Sequence, residues 1–467
     1  MKTPLYLSVQ NAILDYIKDN HLAEGDKLPT FRELAILFQT SIYTVSTAAE
    51  NLQSQGLLEI RPQAGTYIAR DALNEIYQGE LVWDNYLHRK KMHPISKNYA
   101  YIYPNINMSY PFFCEEFGWY PVFEQAVSAA LKNVAKPDHL SNLKGGKGFM
   151  PLRKQVSEYI KDYGIDAHPD LIIISGSAFY TRQMIASTFF SEGDMYFIPS
   201  PSLEELGDYA LRRMTRVECV PVPFDEEGMS VSYIASKINR RKKAYLLVSP
   251  VIQSNNGITM SLNRRKEIYN LCYKNNIPII EMDEYRDFHP NPLPPLKAMD
   301  KHNIVIYIGT FERVLSRSIG VSWIVAPPSL AESLIYSNTM HYLHFQVFNQ
   351  MIVNEALKSG MYRQFTIDIK EKLKEHYALL NNLLDTYMGD IAEWDRQADI
   401  FFWLKFADHI DVREMVKQSS GLSFITYTSY KFAPKNAIWI TPIRFSAKEL
   451  PIVIKKLSHL ARKSLKQ

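Results

Sequence analysis

The chain has 467 residues, of which 46% are apolar and 22% charged, and a net charge of +4, values that suit a globular protein of two or three domains and give no bulk-charge signal for a polyanion partner. Cys114, Cys219 and Cys272 lie far apart with no CxxC pair, which argues against a disulfide framework or a structural zinc site and fits a reducing cytosol. No apolar run is long enough to span a bilayer, and polar Gln10-Asn11 interrupts any signal-peptide core, so a cytoplasmic protein without membrane contact is expected.

Val9, Ile13, Tyr16 and Ile17 recur at helical spacing and predict a first helix. After a turn at Gly25-Asp26, Leu28-Pro29-Thr30 opens a second helix over Phe31 to Phe38, with Thr30 and Glu33 spaced as a capping box. Ser41 is a natural N-cap for a third helix, whose Val45, Ala48, Ala49 and Leu52 line one face. Leu57 to Ile60 and Thr66 to Ile68 flank Arg61-Pro62-Gln63-Ala64-Gly65 as a short β-hairpin. Helix, helix-turn-helix and hairpin make an α+β winged helix over residues 1–70. Its six basic residues face seven acidic ones, so any nucleic-acid contact must come from local arrangement.

The stretches Lys27 to Ala35, Thr44-Val45, Gln55-Gly56-Leu57-Leu58 and Gly65-Thr66-Tyr67 resemble the DNA-binding domain of GntR regulators across all seventy residues. Ser41, Tyr43, Thr44 and Thr47 would then stand at the groove-entering end of the third helix, with Arg32 from the second helix and Gln63, Gly65 and Thr66 from the wing. The family often carries arginines early in that helix; the matching positions here are Ile42 and Ser46, which implies weaker phosphate binding or an unusual operator. A three-helix domain used only for protein contact is the alternative.

Residues 71–98 read as an amphipathic connector carrying the run Arg89-Lys90-Lys91. From Tyr99 onward the chain alternates helix-like and strand-like runs, the pattern of a mostly parallel sheet covered by helices. Buried strands are predicted at Leu171 to Ile174, Met195 to Ile198, Ala244 to Val248, Ile277 to Ile280 and Asn303 to Tyr307. A large α/β lobe over about 99–350 and a smaller α+β lobe over about 351–467 are expected.

This order, with several landmarks, resembles the fold-type I aminotransferases, and most closely the MocR-type members of the GntR regulators. Gly145 to Arg153 is similar to the early glycine-leucine-arginine segment, and Gly176-Ser177-Ala178 to the loop that sets amides against a cofactor phosphate. Ser249-Pro250, Gln253, Gly257 and Arg264-Arg265 follow the Pro-x-x-Gln segment. Asp283 and Tyr285 match the aspartate for the pyridine nitrogen and the tyrosine near the ring hydroxyl. Thr310-Phe311-Glu312-Arg313 matches the Gly-Thr-Phe-Ser-Lys loop, with arginine in place of the lysine that holds pyridoxal 5′-phosphate. A guanidinium stays protonated and cannot attack an aldehyde. The phosphate arginine is replaced by Gly320, the histidine before the glutamine by Ile252, and an aromatic residue is missing around Ser202-Leu203.

The resemblance thus implies a vestigial cofactor pocket of Gly176, Ser177, Ala178, Gln253, Asp283, Tyr285, Thr310 and Arg313, with no catalytic residue, no metal and no covalently held cofactor. Arg313 is expected either as an anion receptor or in a salt bridge to Glu312 or Asp283. His341 and His344 could share a metal or serve packing, and Glu281, Asp283, Glu284, Asp287 and His289 could bind a cation or be solvated charges. The function expected is a DNA-binding transcriptional regulator, binding double-stranded operator DNA as a homodimer, with an inactive aminotransferase-like domain for dimerisation and sensing of a small-molecule effector. Noncovalent pyridoxal phosphate binding through Asp283 and Tyr285 is one alternative, and a working aminotransferase is the other.

Overall fold

The computed structural model of the protein describes residues 5–20, 22–76, 106–107, 114–133, 146–202, 215–253, 257–341, 347–395, 400–418, 422–423, 432 and 436–465. The chain divides into two units, Met1–Ala100 and Tyr101–Gln467. The run Arg89-Lys90-Lys91, Gly145, Leu203 and His344 lie outside the described residues.

In the first unit, helix α1 (Leu5–Asp19) buries Val9, Ile13 and Ile17. Helix α2 (Phe31–Leu37) begins at the expected capping box: the Thr30 amide donates to Glu33 Oε2 at 2.8 Å, and the Glu33 amide to Thr30 Oγ1 at 3.3 Å. It ends one residue earlier than predicted, with Phe38 as its C-cap. Helix α3 (Ile42–Ser54) buries Val45, Ala48, Ala49 and Leu52, the face read from the sequence. Strands β1 (Leu58–Arg61) and β2 (Gly65–Ile68) pair antiparallel, Arg61 opposite Gly65, and an antiparallel bridge from Lys27 to Tyr67 extends the wing. Ala72, Leu73 and Ile76 belong to the same hydrophobic cluster as these helices.

The second unit is built on a seven-stranded sheet in the order 172–175, 322–325, 305–310, 279–283, 244–248, 195–199, 218–222. Ser322–Val325 is antiparallel to both neighbours and the other pairs are parallel. Strands covered on both faces read as continuous apolar runs whatever their pairing, which is why all five predicted strands stood out. The strands 218–222 and 322–325 went unread, because Pro221 and the polar Ser322 break up their apolar runs. Side chains alternate between two cores: Ile173, Ile198, Leu247, Ile280 and Ile308 share one with Ala178 and Ile185 of helix Ala178–Phe189. Phe197, Leu246, Val248, Ile279 and Val305 share the other with Ile268 and Cys272 of helix Leu262–Lys274.

The smaller lobe is organised by the helix Met361–Met388, whose buried Phe365, Ile369, Leu373, Leu380, Leu384 and Met388 recur every three to four residues or a multiple of that spacing. Leu380, Leu384 and Met388 pack with the antiparallel strands Ala392–Trp394, Phe402–Phe406 and Ala437–Ile440 and with the helix Leu450–Lys463. The α+β character expected of this lobe is present.

Candidate nucleic-acid interface and candidate cofactor site

The winged helix displays some of the predicted contact residues and uses others internally. Arg32, Ser41, Tyr43 and Gln63 are exposed, Thr44, Thr47 and Gly65 are half-buried, and Tyr43 keeps 82% of its surface. Ser41 Oγ accepts the Thr44 amide at 3.1 Å and lies 2.8 Å from the Thr44 hydroxyl, fixing the start of α3. The Thr47 hydroxyl donates to the Tyr43 carbonyl at 3.0 Å. Thr66 is a correction: it is buried, because its side chain points to the core side of the pleat while its carbonyl accepts the Leu28 amide. Two basic residues beside the wing were missed. Arg61 stacks on Tyr67, 4.4 Å from the ring centre, and Lys27 lies 5.9 Å from the same ring. Arg61 was readable as the last residue before the hairpin turn, whereas nothing in the sequence placed Lys27 beside Tyr67. Gly65 has φ +118°, and a Cβ there would fall 2.4 Å from Lys27 Cε, so the wing turn requires glycine.

The second candidate site gathers strand ends of the large sheet. Ser177 caps the helix Ala178–Phe189 with its own hydroxyl, which accepts the Tyr180 amide at 3.2 Å. The Ala178 amide donates instead to Glu312 Oε2 at 3.1 Å, and the Thr310 hydroxyl lies 3.3 Å from the same oxygen and 3.2 Å from the Val321 carbonyl. Glu312 is buried, and burial raises its carboxyl above the usual range against the pull of Arg313 and the Ala178 amide. Gly309, just before this loop, is obligatory: a Cβ would sit 2.1 Å from Trp323 Cζ2. The phosphate position of the resemblance, Gly320, contributes no side chain.

Arg313 pairs with neither carboxylate expected of it. Its Nε donates to Glu284 Oε2 at 3.0 Å and its Nη2 to the same oxygen, while its guanidinium lies 5.1 Å from the Tyr285 ring centre. The two side chains keep only 20% and 8% of their exposure. Burial opposes the charge on Arg313, but Glu284, then Tyr285 and Glu312, outweigh it and raise its pKa. Asp283 has a cation of its own: Arg286 Nε donates to Oδ2, the Tyr307 hydroxyl donates to the same oxygen at 3.0 Å, and Arg286 also donates to the Leu293 carbonyl at 2.9 Å. Arg286 was not singled out from sequence, although its i, i+3 spacing from Asp283 is the signal. Asp283 Oδ1 is buried without a hydrogen-bond partner among the described residues. Tyr285 is buried edge-on against Phe401, with ring centres 5.0 Å apart.

The acidic run is neither a cation site nor a solvated loop. Glu281 accepts the Leu296 and Lys297 amides at 2.8 Å each, and burial pushes its carboxyl up to about 7. Asp287 accepts hydroxyls of Tyr163 at 2.8 Å and Tyr362 at 2.7 Å, and also that of Tyr159. His289 Nδ1 accepts the Asn291 amide at 3.1 Å. Each group is consumed by a separate partner because the loop is folded into the core, and no three His, Cys, Asp or Glu among the described residues could share a metal. Gln253 is buried in a turn closed by its amide on the Ile258 carbonyl at 2.9 Å. Arg265 donates to four backbone carbonyls, those of Pro250, Met260, Leu293 and Pro294, and Arg264 forks onto Asp225 with both contacts at 2.9 Å. Both arginines are thereby spent on the fold. Gly146 presents its carbonyl to Asn338 at 2.9 Å, tying the early glycine segment to the strand end at Ile174.

A phosphorylated pyridine aldehyde would need a neutral amine, an amide cup open to its phosphate and a carboxylate for its ring nitrogen. The amine position holds a guanidinium tied to Glu284, the cup amide of Ala178 already meets a carboxylate, and Asp283 already faces Arg286. These residues do not fit pyridoxal phosphate.

Comparison with known proteins agrees with the two-part architecture. Residues 5–68 match the family of bacterial regulatory proteins, gntR family, and residues 117–445 match aminotransferase class I and II. The uncharacterized HTH-type transcriptional regulator YdfD of Bacillus subtilis is 27% identical over 88% of this chain and 86% of its own. A second from that organism, YisV, is 27% identical over 98% of this chain and 96% of its own. Among solved structures, a multiple substrate aminotransferase from Thermococcus profundus superposes with a TM-score of 0.71 at 20% identity, covering 82% of this chain and 99% of that one. No described helix is long and apolar enough to cross a membrane. With a GntR-type helix-turn-helix region ahead of a match that takes in most of its length, this chain belongs to the aminotransferase class I and II family.

Proposed function

We propose that this protein is a transcriptional regulator that binds operator DNA through its winged helix and uses its aminotransferase-like domain, without catalysis or covalent cofactor, for dimerisation and effector sensing. The observation that carries the DNA-binding half is the start of α3, where Ser41 caps the helix and Tyr43 stands in solvent, together with a wing flanked by Lys27 and Arg61. With no basic side chain on α3 itself, phosphate contacts fall to backbone amides, Arg32 and the wing. Two copies would read a two-part operator, half-sites spaced by the dimer. The relatives named as HTH-type transcriptional regulators, similar over nearly the whole chain, support the regulatory role.

The absence of catalysis rests on Arg313, which offers no lone pair and is held by Glu284. Selection of bound duplexes from a random pool, followed by anisotropy titrations of the recovered sequence, tests the DNA half. A saturable preference of at least a hundredfold over unrelated duplex is expected, and purely nonspecific binding would refute it. Incubation with amino donors and added pyridoxal phosphate tests the other half: turnover should not exceed the free-cofactor rate, and borohydride should fix nothing to the chain. A regulator that holds an unphosphorylated heteroaromatic ligand noncovalently is the second reading, favoured by the unpartnered Oδ1 of Asp283. Quenching of tryptophan fluorescence by pyridoxine would support it, and unchanged fluorescence would count against it.

A further inference from the structure

The helix Ala178–Phe189 has twelve residues, and its first turn is the part of this fold that would meet a phosphate. Two of the amides that begin it are already taken from inside the chain. Ser177 takes the Tyr180 amide through its hydroxyl, and Glu312 takes the Ala178 amide. Glu312 arrives from the neighbouring loop, 134 residues away in sequence, and its position is fixed twice more. Its amide donates to Thr310 Oγ1 at 3.2 Å, and the Thr310 hydroxyl lies 3.3 Å from Oε2. A glutamate fits this loop only if its carboxylate finds donors, since burial otherwise penalises it. Arg313, next along the chain, keeps its own carboxylate partner, Glu284. Glu312 is therefore not half of a salt bridge that happens to lie near the helix. Its direct partners are the helix amide and a threonine hydroxyl.

We propose that Glu312 is the resident anion of this helix N-terminus: a tethered carboxylate that stands where a bound phosphate would stand and shuts the site to phosphorylated ligands. A covalently attached group has an effective concentration of millimolar or more without any ligand in solution. An incoming phosphate about 4 Å from a charge of the same sign also meets repulsion on the order of a thousandfold in affinity. The domain consequently keeps the first amide of the helix satisfied with nothing bound, and any effector it senses is expected to lack a phosphate. This rests on the noncatalytic reading of the domain. Its test reads anion binding and not turnover, so either can fail without the other.

The experiment uses the full chain as wild type, Glu312→Ser and Glu312→Gln. Phosphate affinity is measured by equilibrium dialysis of labelled inorganic phosphate at constant ionic strength, and thermal midpoints by tryptophan fluorescence in phosphate and in chloride. Wild type should bind no phosphate at ten millimolar-scale concentrations and show the same midpoint in both salts. Glu312→Ser should have a lower midpoint in chloride, recover much of it in phosphate, and bind phosphate at least tenfold more tightly than wild type. Glu312→Gln keeps an acceptor for the Ala178 amide without the charge, so it should unfold close to wild type and still gain phosphate affinity. That variant carries the test if the serine variant does not fold. Phosphate binding by wild type equal to that of the variants, or no gain in either variant, would overturn the proposal.

Discussion

Glu284→Gln isolates the ion pair that Arg313 makes inside the domain. The substitution keeps the shape of the side chain and removes its charge, leaving Arg313 inside the domain with 20% of its side chain exposed. Breaking a buried pair from one side costs about 3–5 kcal/mol. The Tyr285 ring 5.1 Å away offsets about 1 kcal/mol of that, and the exposed edge of the guanidinium lets water recover some more. We therefore expect about 3 kcal/mol of destabilisation. Arg313→Met should cost a similar amount, because Glu284, with 8% of its side chain exposed, is then left unpaired. The double variant should be more stable than the two losses predict, by a coupling of about 2 kcal/mol. Guanidinium titrations followed by tryptophan fluorescence suit the measurement, since five of the six tryptophans, all but Trp83, lie in the second unit and dominate the signal. Losses below about 0.5 kcal/mol that simply add would refute the pairing as a source of stability.

Arg313→Lys should not restore cofactor labelling, because Glu284 would hold the new ammonium protonated and Glu312 still meets the Ala178 amide; a borohydride-fixed adduct at stoichiometric pyridoxal phosphate would contradict this. In the wing, Gly65→Asp should reduce DNA affinity at least tenfold, since it forces a side chain into φ +118° against Lys27 and sets a carboxylate beside phosphates. Equal affinities in anisotropy would remove the wing from the interface. Stability should also depend on pH through Glu281. Its folded carboxyl titrates at about 7 against 4.5 unfolded, so its contribution is complete below about pH 4.5 and lost as pH rises through 7. The loss by pH 8 is about 3 kcal/mol, and denaturation midpoints of Glu281→Gln at pH 5.5 and 8 should differ less than those of wild type.

The sequence by itself determined the winged helix, down to the capping box at Thr30 and the buried face of α3, because those features depend on residues three or four apart. It also determined five of the seven strands of the large sheet, whose unbroken apolar runs reflect burial on both faces. Tertiary structure alone decided the partners. Glu284 lies 29 residues from Arg313, and Glu312 lies 134 from Ala178, so no local spacing could choose between the carboxylates available to either. The acidic run 281–289 likewise reads as a cation site or as solvated charge until the fold brings the Leu296 and Lys297 amides, Tyr307 and Tyr362 against it. Burial made those pairings necessary: a charge removed from water must find an opposite charge or a hydrogen-bond donor, and which one it finds is set by strand order and loop path.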